Sequence, residues 1–167
     1  RQEGNDEYND FLDKFEQKKT TDDCYTPDNI YDAVADWVAK EYGVSRSDFV
    51  RPFYPGGDYQ NYKYAKNSVV VDNPPFSILS EIINFYCGKG IRFFLFAPAL
   101  TLFTAIGCDV EYMPEGCDVL YENGAVVKTS FINNLGDSRI YISPELHDAV
   151  KAENDKNMKE AHKDLPK

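Results

Sequence analysis

Ser68-Val69-Val70-Val71-Asp72-Asn73-Pro74-Pro75-Phe76-Ser77 is the stretch that decides the fold. Three successive valines carry high strand propensity without polar alternation, the pattern of a strand buried on both faces. The polar pair Asp72-Asn73 ends the apolar run, and two prolines, which cannot donate to a ladder, stop the strand abruptly at its carboxyl end. In open α/β sheets that edge is where ligands bind.

The turn itself is stiff. Pro75 bars Pro74 from helical geometry and Pro74 does the same to Asn73, so the segment stays extended. The result is a rim of acceptors, the Asn73 side-chain oxygen and the Asn73 and Pro74 carbonyls, with the Phe76 ring beside them. Such a rim suits a flat group bearing an amine, whose N–H hydrogens meet the acceptors while the ring stacks on its face. A flipped-out nucleobase is a ligand of that kind.

Asn73-Pro74-Pro75-Phe76 resembles the (Asn/Asp/Ser)-Pro-Pro-(Tyr/Phe/Trp) motif of S-adenosylmethionine-dependent amino-methyltransferases, above all those that methylate the exocyclic amine of adenine in DNA. Taken alone, the tetrapeptide also reads as a Pro-Pro turn after a core strand with Phe76 as filler. The flanks extend the resemblance. Cys24-Tyr25-Thr26-Pro27 opens a helix with Thr26 as cap, Pro27 at the first helical position and Asp28 in the first turn. Ile30, Val34, Trp37, Val38 and Tyr42 form its apolar stripe and Gly43 ends it. An aromatic and a Thr-Pro ahead of a helix are similar to the family's N-terminal cofactor motif. Residues 48–59 read as a strand running into a glycine turn, similar to the loop on which the family seats its cofactor. This chain departs from that pattern at Arg51, where the family has an acid, and in having Gly56 and Gly57 adjacent.

The resemblance implies S-adenosylmethionine as cofactor, with Asn73, Pro74, Pro75 and Phe76 as the catalytic set. It implies cofactor contacts from Tyr25, Thr26, Pro27, Pro52, Phe53, Gly56, Gly57, Asp58, Asp72 and Asn73, Asp58 facing the cofactor's ammonium group. Only residues 60–67 separate the glycine loop from the central strand. Two further strands, the first ending in the acid that holds the cofactor ribose, do not fit there, because each parallel crossover takes a dozen or more residues. Compact phage-type adenine methyltransferases look abbreviated in a similar way.

Downstream, Ser77 caps an expected helix over 78–86, Gly88-Lys89-Gly90 closes it, and 91–98 is a continuous apolar strand. A short helix over 100–106, strands at 108–112 and 118–121, a turn at 122–124 and a strand over 125–133 follow. Ser143-Pro144-Glu145 starts a last, charge-rich helix to about residue 162, read as a solvated tail or linker. The expected fold is α/β: an abbreviated Rossmann-like methyltransferase sheet, mostly parallel, with an antiparallel hairpin at the C-terminal end and helices on its flanks. Residues 1–21 form a helical extension, 22–143 the α/β domain and 144–167 the charged tail.

Composition bounds the partners. At 167 residues the chain is one domain that buries roughly 70% of its unfolded surface. A net charge of −10 argues against a generic polyanion binder, although much of the acid lies at the two ends. Lys63, Lys66, Lys89, Arg92, Lys128 and Arg139 are left to form a local basic rim. Cys24, Cys87, Cys108 and Cys117 show no CxxC pair, and Cys87 and Cys108 read as plain core thiols. No metal site, membrane span or signal peptide is evident, which makes the protein cytoplasmic. Three functions remain. The first is an adenine-specific DNA methyltransferase of phage or mobile-element type, with a protein partner supplying target recognition. The second is a protein-glutamine methyltransferase. The third is a catalytically degenerate methyltransferase fold that acts as a binding protein.

Overall fold

The structure is a computed structural model and describes residues 25–53, 57–99 and 108–164. The expected helices at 1–21 and 100–106 lie outside those residues. Helix α1 (Asp28–Tyr42) is followed by a single 3-10 turn and strand β1 (Phe49–Val50), then β2 (Val69–Asp72), α2 (Leu79–Lys89), β3 (Arg92–Pro98), β4 (Glu111–Leu120), β5 (Val126–Asn133) and α3 (Pro144–Lys163). The five strands form one sheet in the order β1-β2-β3-β5-β4. β1, β2 and β3 are mutually parallel, and β5 is antiparallel to both of its neighbours. The sheet is therefore mostly parallel and open, and its antiparallel member is the second strand of the C-terminal hairpin.

Strand periodicity sorts the core into two layers. Val69, Val71, Phe94, Phe96 and Phe131 face the layer built by α1 and α3, with Ile30, Val34, Trp37, Leu146 and Val150. Val70, Phe93, Leu95, Ala97 and Ile132 face α2, with Leu79, Ile82, Ile83 and Tyr86. β2 is buried along its whole length, as three valines without alternation require.

Several sequence expectations shift. Pro27, not Thr26, is the N-cap of α1, and no side chain caps that end. The turn after β2 passes through a 3-10 turn, Phe76–Ile78, so α2 begins at Leu79 and runs to Lys89, with Gly90 at φ 67° closing it. The two short strands expected at 108–112 and 118–121 are one strand, β4. Its pairing to β5 slips between Met113 and Cys117, where Pro114 and the positive-φ Gly116 break the pattern. The last helix is not a solvated tail. Leu146, Val150 and Asn154 form a buried stripe at i, i+4 and i+8. Asn154 also accepts the Leu120 amide of β4 at 2.7 Å, covering that edge strand. Cys87 and Cys108, expected as free thiols, are joined in a disulfide that ties the end of α2 to the chain entering β4. No helix among the described residues is long and apolar enough to cross a membrane.

Candidate functional site

Four strands point the same way, so the loops leaving β1, β2, β3 and β4 share one edge of the sheet. α1 runs against the strands. Its C-terminal Tyr42 reaches Glu111 at the start of β4, while the Tyr25 carbonyl just before it accepts the Glu122 amide just past the end of β4. The segments at Pro52-Phe53 and Asn73-Phe76 thus meet at the carboxyl edge, and Thr26-Pro27 opens α1 at that same edge, beside the end of β4.

Asp72 is the knot that holds them. Its side chain is 2% exposed and accepts hydrogen bonds from the Phe53 amide (2.9 Å), the Asn73 amide (2.9 Å) and Arg51 Nε (3.4 Å). Arg51 in turn lies over the Tyr31 ring, 3.8 Å from its centroid, one turn into α1. The chain Tyr31–Arg51–Asp72 therefore links α1, the β1 loop and the β2 terminus. Burial pushes the Asp72 carboxyl above the usual carboxylate range, opposed by the Phe53 amide, the Arg51 charge and the Asn73 amide. Burial likewise pushes the Tyr31 phenol to about 12, although the Arg51 charge pulls the other way. Arg51, a departure from the family pattern in sequence, is in structure the counter-charge that lets an aspartate sit buried at this strand end.

All the expected site residues but Gly56 have a described place. Pro74 is buried, and Asn73, Pro75 and Phe76 are half-buried. Pro75 has φ −58° and ψ 120°, the extended form expected of the Pro-Pro pair, and its carbonyl accepts the Ile78 amide at 3.4 Å. Phe76 packs against the α1-side core, which fixes the ring. Phe53 stacks near Tyr59, with centroids 5.4 Å apart. Thr26 is 4% exposed, and its hydroxyl is buried with no hydrogen-bond partner among the described residues. Tyr25 is exposed and Pro27 caps α1. Gly57 backs directly onto the Pro52 carbonyl oxygen, where a Cβ has no room, so position 57 takes only glycine. Gly56 lies outside the described residues. Asp58 is exposed and spends its carboxylate on its own turn, accepting from the Gln60 and Asn61 amides and the Asn61 side chain, which lowers its pKa.

Two clefts lie at the opposite, amino edge, and no local pattern in the sequence announces the first. It holds about 560 Å³ and is lined by Cys108, Asp109, Tyr112, Asp137, Ser138 and Arg139. The second holds about 320 Å³ and is lined by Tyr64, Lys66, Ser68, Lys89, Gly90 and Arg92. Between β5 and α1 the amino edge is closed by a buried polar cluster. Glu111, 2% exposed, accepts from the Tyr42 hydroxyl (2.6 Å), Asn133 Nδ2 (3.3 Å) and the Ser138 amide (3.1 Å).

No protein-family model matches this chain, and no curated protein or solved structure matches it either.

Proposed function

We propose that the protein is a compact S-adenosylmethionine-dependent methyltransferase acting on the exocyclic amine of adenine in DNA. One observation carries the reading: Phe53 and Asn73, far apart in sequence, both donate their amides to the buried Asp72 at the carboxyl edge, and Arg51 ties Asp72 to Tyr31 in the helix that Thr26-Pro27 opens. The resemblance rests on the segments that carry these residues.

The residues present suit the methionine end of the cofactor. The buried Thr26 hydroxyl has hydrogen-bonding capacity that a polar ligand would satisfy. For the ribose there is less: among the described residues, 57–68 form turns and no strand. When bound, S-adenosylmethionine supplies an electrophilic methyl group. The chain's own work is to present the amine. An exocyclic amine is a poor nucleophile because its lone pair is delocalised into the ring. Acceptors at Asn73 and Pro74 that grip its two hydrogens favour the pyramidal nitrogen and stabilise positive charge developing on it. Phe76, held by the core, stacks on the extruded base and offsets part of its unstacking cost, a few kcal/mol. The Pro-Pro pair keeps these groups in place before the substrate arrives.

A second reading, a degenerate fold that binds without catalysis, is favoured by two features. β1 is only two residues long and forms the edge of the sheet, and Asp58 is committed to its own turn. The net charge of −10 would also suit a basic protein substrate, as glutamine methylation requires. Calorimetric titration with S-adenosylmethionine, paired with methyl transfer to adenine-containing duplexes, separates these. The enzyme reading expects binding that Asn73→Ala leaves within about threefold, while transfer falls by roughly 10²-fold or more. Thr26→Val should weaken binding. Absence of binding by the wild-type chain would overturn the enzyme reading.

A further inference from the structure

In an acidic chain, two stretches carry no acid, the nearest on the same side of the sheet being Glu81 of α2, which accepts from the Tyr59 hydroxyl at 3.3 Å. The 28 carboxylates are distributed so that none falls within 59–71 or within 82–108, whereas Lys63, Lys66, Lys89 and Arg92 do. The fold brings 59–71 and 82–92 together on the α2 side of the sheet. The Tyr64 hydroxyl meets the Tyr86 hydroxyl of α2 at 3.0 Å, and Arg92 donates to the Asn67 carbonyl at 2.8 Å. Lys66, Lys89, Arg92 and Tyr64 then line the 320 Å³ cleft. Six other cations of the described chain, Lys40, Arg46, Arg51, Lys128, Lys151 and Lys156, are paired with carboxylates. Among the described residues Lys63, Lys66, Lys89 and Arg92 make no ion pair, and neither do Arg139, Lys159 and Lys163.

Structural duties account for only part of this. Lys89 suits the carboxyl end of α2, and Arg92 braces the 65–68 turn. Neither role explains Lys63 or Lys66, which are fully exposed, or the exclusion of every acid from both stretches. The connection also interleaves rings with cations, Tyr62-Lys63-Tyr64-Ala65-Lys66. Tyr62 is 39% exposed and its ring centroid is 4.9 Å from that of Tyr64. Unpaired cations beside an exposed ring are the ingredients of a nucleic-acid backbone track with a stacking platform.

We propose that this face binds the phosphodiester backbone of the DNA substrate, with Lys66 and Lys89 on phosphates, and that Tyr62 stacks on a base only where the strand is single. The proposal rests on the DNA reading above and adds where the duplex lies. The connection starts at the carboxyl edge, where Tyr59 packs on Phe53, and ends at the amino edge before β2. β3 spans the same interval in seven residues, about 20 Å. At 3.4 Å per nucleotide the cleft lies roughly six nucleotides from a base held at Asn73.

The test is fluorescence anisotropy with the full chain and a labelled 12-nucleotide DNA, duplex and single-stranded, over a salt series. Lys66→Glu/Lys89→Glu is compared with Lys151→Glu/Lys156→Glu, which changes the net charge equally on α3, and thermal melts of both verify folding. Each phosphate contact is worth about 0.9 decade of affinity per decade of salt, so losing two weakens binding by about 60-fold at about 0.1 M and flattens the salt slope by about 2. The α3 control changes affinity by only a few-fold. Tyr62→Ser weakens the single strand about tenfold and leaves the duplex unaffected. Equal losses in the two doubles, or no binding of either DNA by the wild-type chain, overturn the proposal. DNA held through this face without S-adenosylmethionine binding would leave the proposal standing and remove only the methyl-transfer reading.

Discussion

Raising the pH above about 10 should unfold this protein, and the buried tyrosines set how steeply. An unfolded tyrosine ionises near pH 10. In the folded chain burial pushes the Tyr31 phenol to about 12, and it pushes those of Tyr42 and Tyr86 further, helped at Tyr42 by its hydrogen bond to Glu111 and at Tyr86 by its hydrogen bond to Tyr64. Between pH 10 and the raised values the folded state keeps three protons that the unfolded state has released. Stability therefore falls as pH rises, being fully present below pH 10 and lost through the folded pKa values. Each phenol contributes about 1.4 kcal/mol per pH unit, so the three together give about 4 kcal/mol per unit. By about pH 11.5 the loss is about 6 kcal/mol, within the range of a domain's whole stability. Urea unfolding followed by circular dichroism from about pH 9 to about pH 11, with phenolate absorbance in parallel, measures it. Tyr42→Phe should reduce the slope by one proton while costing about 2 kcal/mol at neutral pH, because it removes the 2.6 Å bond to a buried carboxylate. Stability that stays flat over this range, or all 12 tyrosines titrating in one step near pH 10 with the fold intact, would refute the reasoning.

Two further outcomes concern the elements that fix the domain's outline. Leu146→Ala removes a fully buried anchor of α3 and should cost about 2–5 kcal/mol, whereas in a solvated tail it would cost less than about 0.5; thermal melting distinguishes the two. Opening the Cys87–Cys108 bond, across a sequence separation of 21, should cost about 3 kcal/mol on the loop-entropy account. A reductant should lower the melting temperature of the wild-type chain but not that of Cys87→Ser/Cys108→Ser, and an unchanged wild-type melt would count against the bond.

The centre of the fold was legible because its signals are local. A valine run stopped by Pro-Pro, and an apolar run at 91–98 after a glycine pair, each name a buried parallel strand without reference to anything distant. Residues that resolve a conflict at a distance were not. Arg51 looked like a defect because its partner Asp72 is 21 positions away and its platform Tyr31 lies on another element. The disulfide joins two cysteines whose separation carries no pattern. α3 buries only a narrow stripe, Leu146, Val150 and Asn154, and one of the three is polar, so its hydrophobic signal was drowned by the surrounding charge. β4 was split in two by Pro114 and Gly116, although β5, paired on both sides of the slip, keeps it one strand. At the site, Asp58 accepts from its own neighbours Gln60 and Asn61, a local turn that its sequence context does not announce.

The buried Glu111 also constrains how this sequence can drift. The loop after β5 wraps its carboxylate so closely that a Cβ on Gly136 would fall within the carboxyl group itself. Positions 111 and 136 thus behave as a single locus. A side chain gained at 136 is tolerated only with a shorter residue at 111, and that exchange would strand the Tyr42 hydroxyl and the Ser138 amide unless both found new acceptors together. Among diverged relatives the two positions would change in concert or remain as they are.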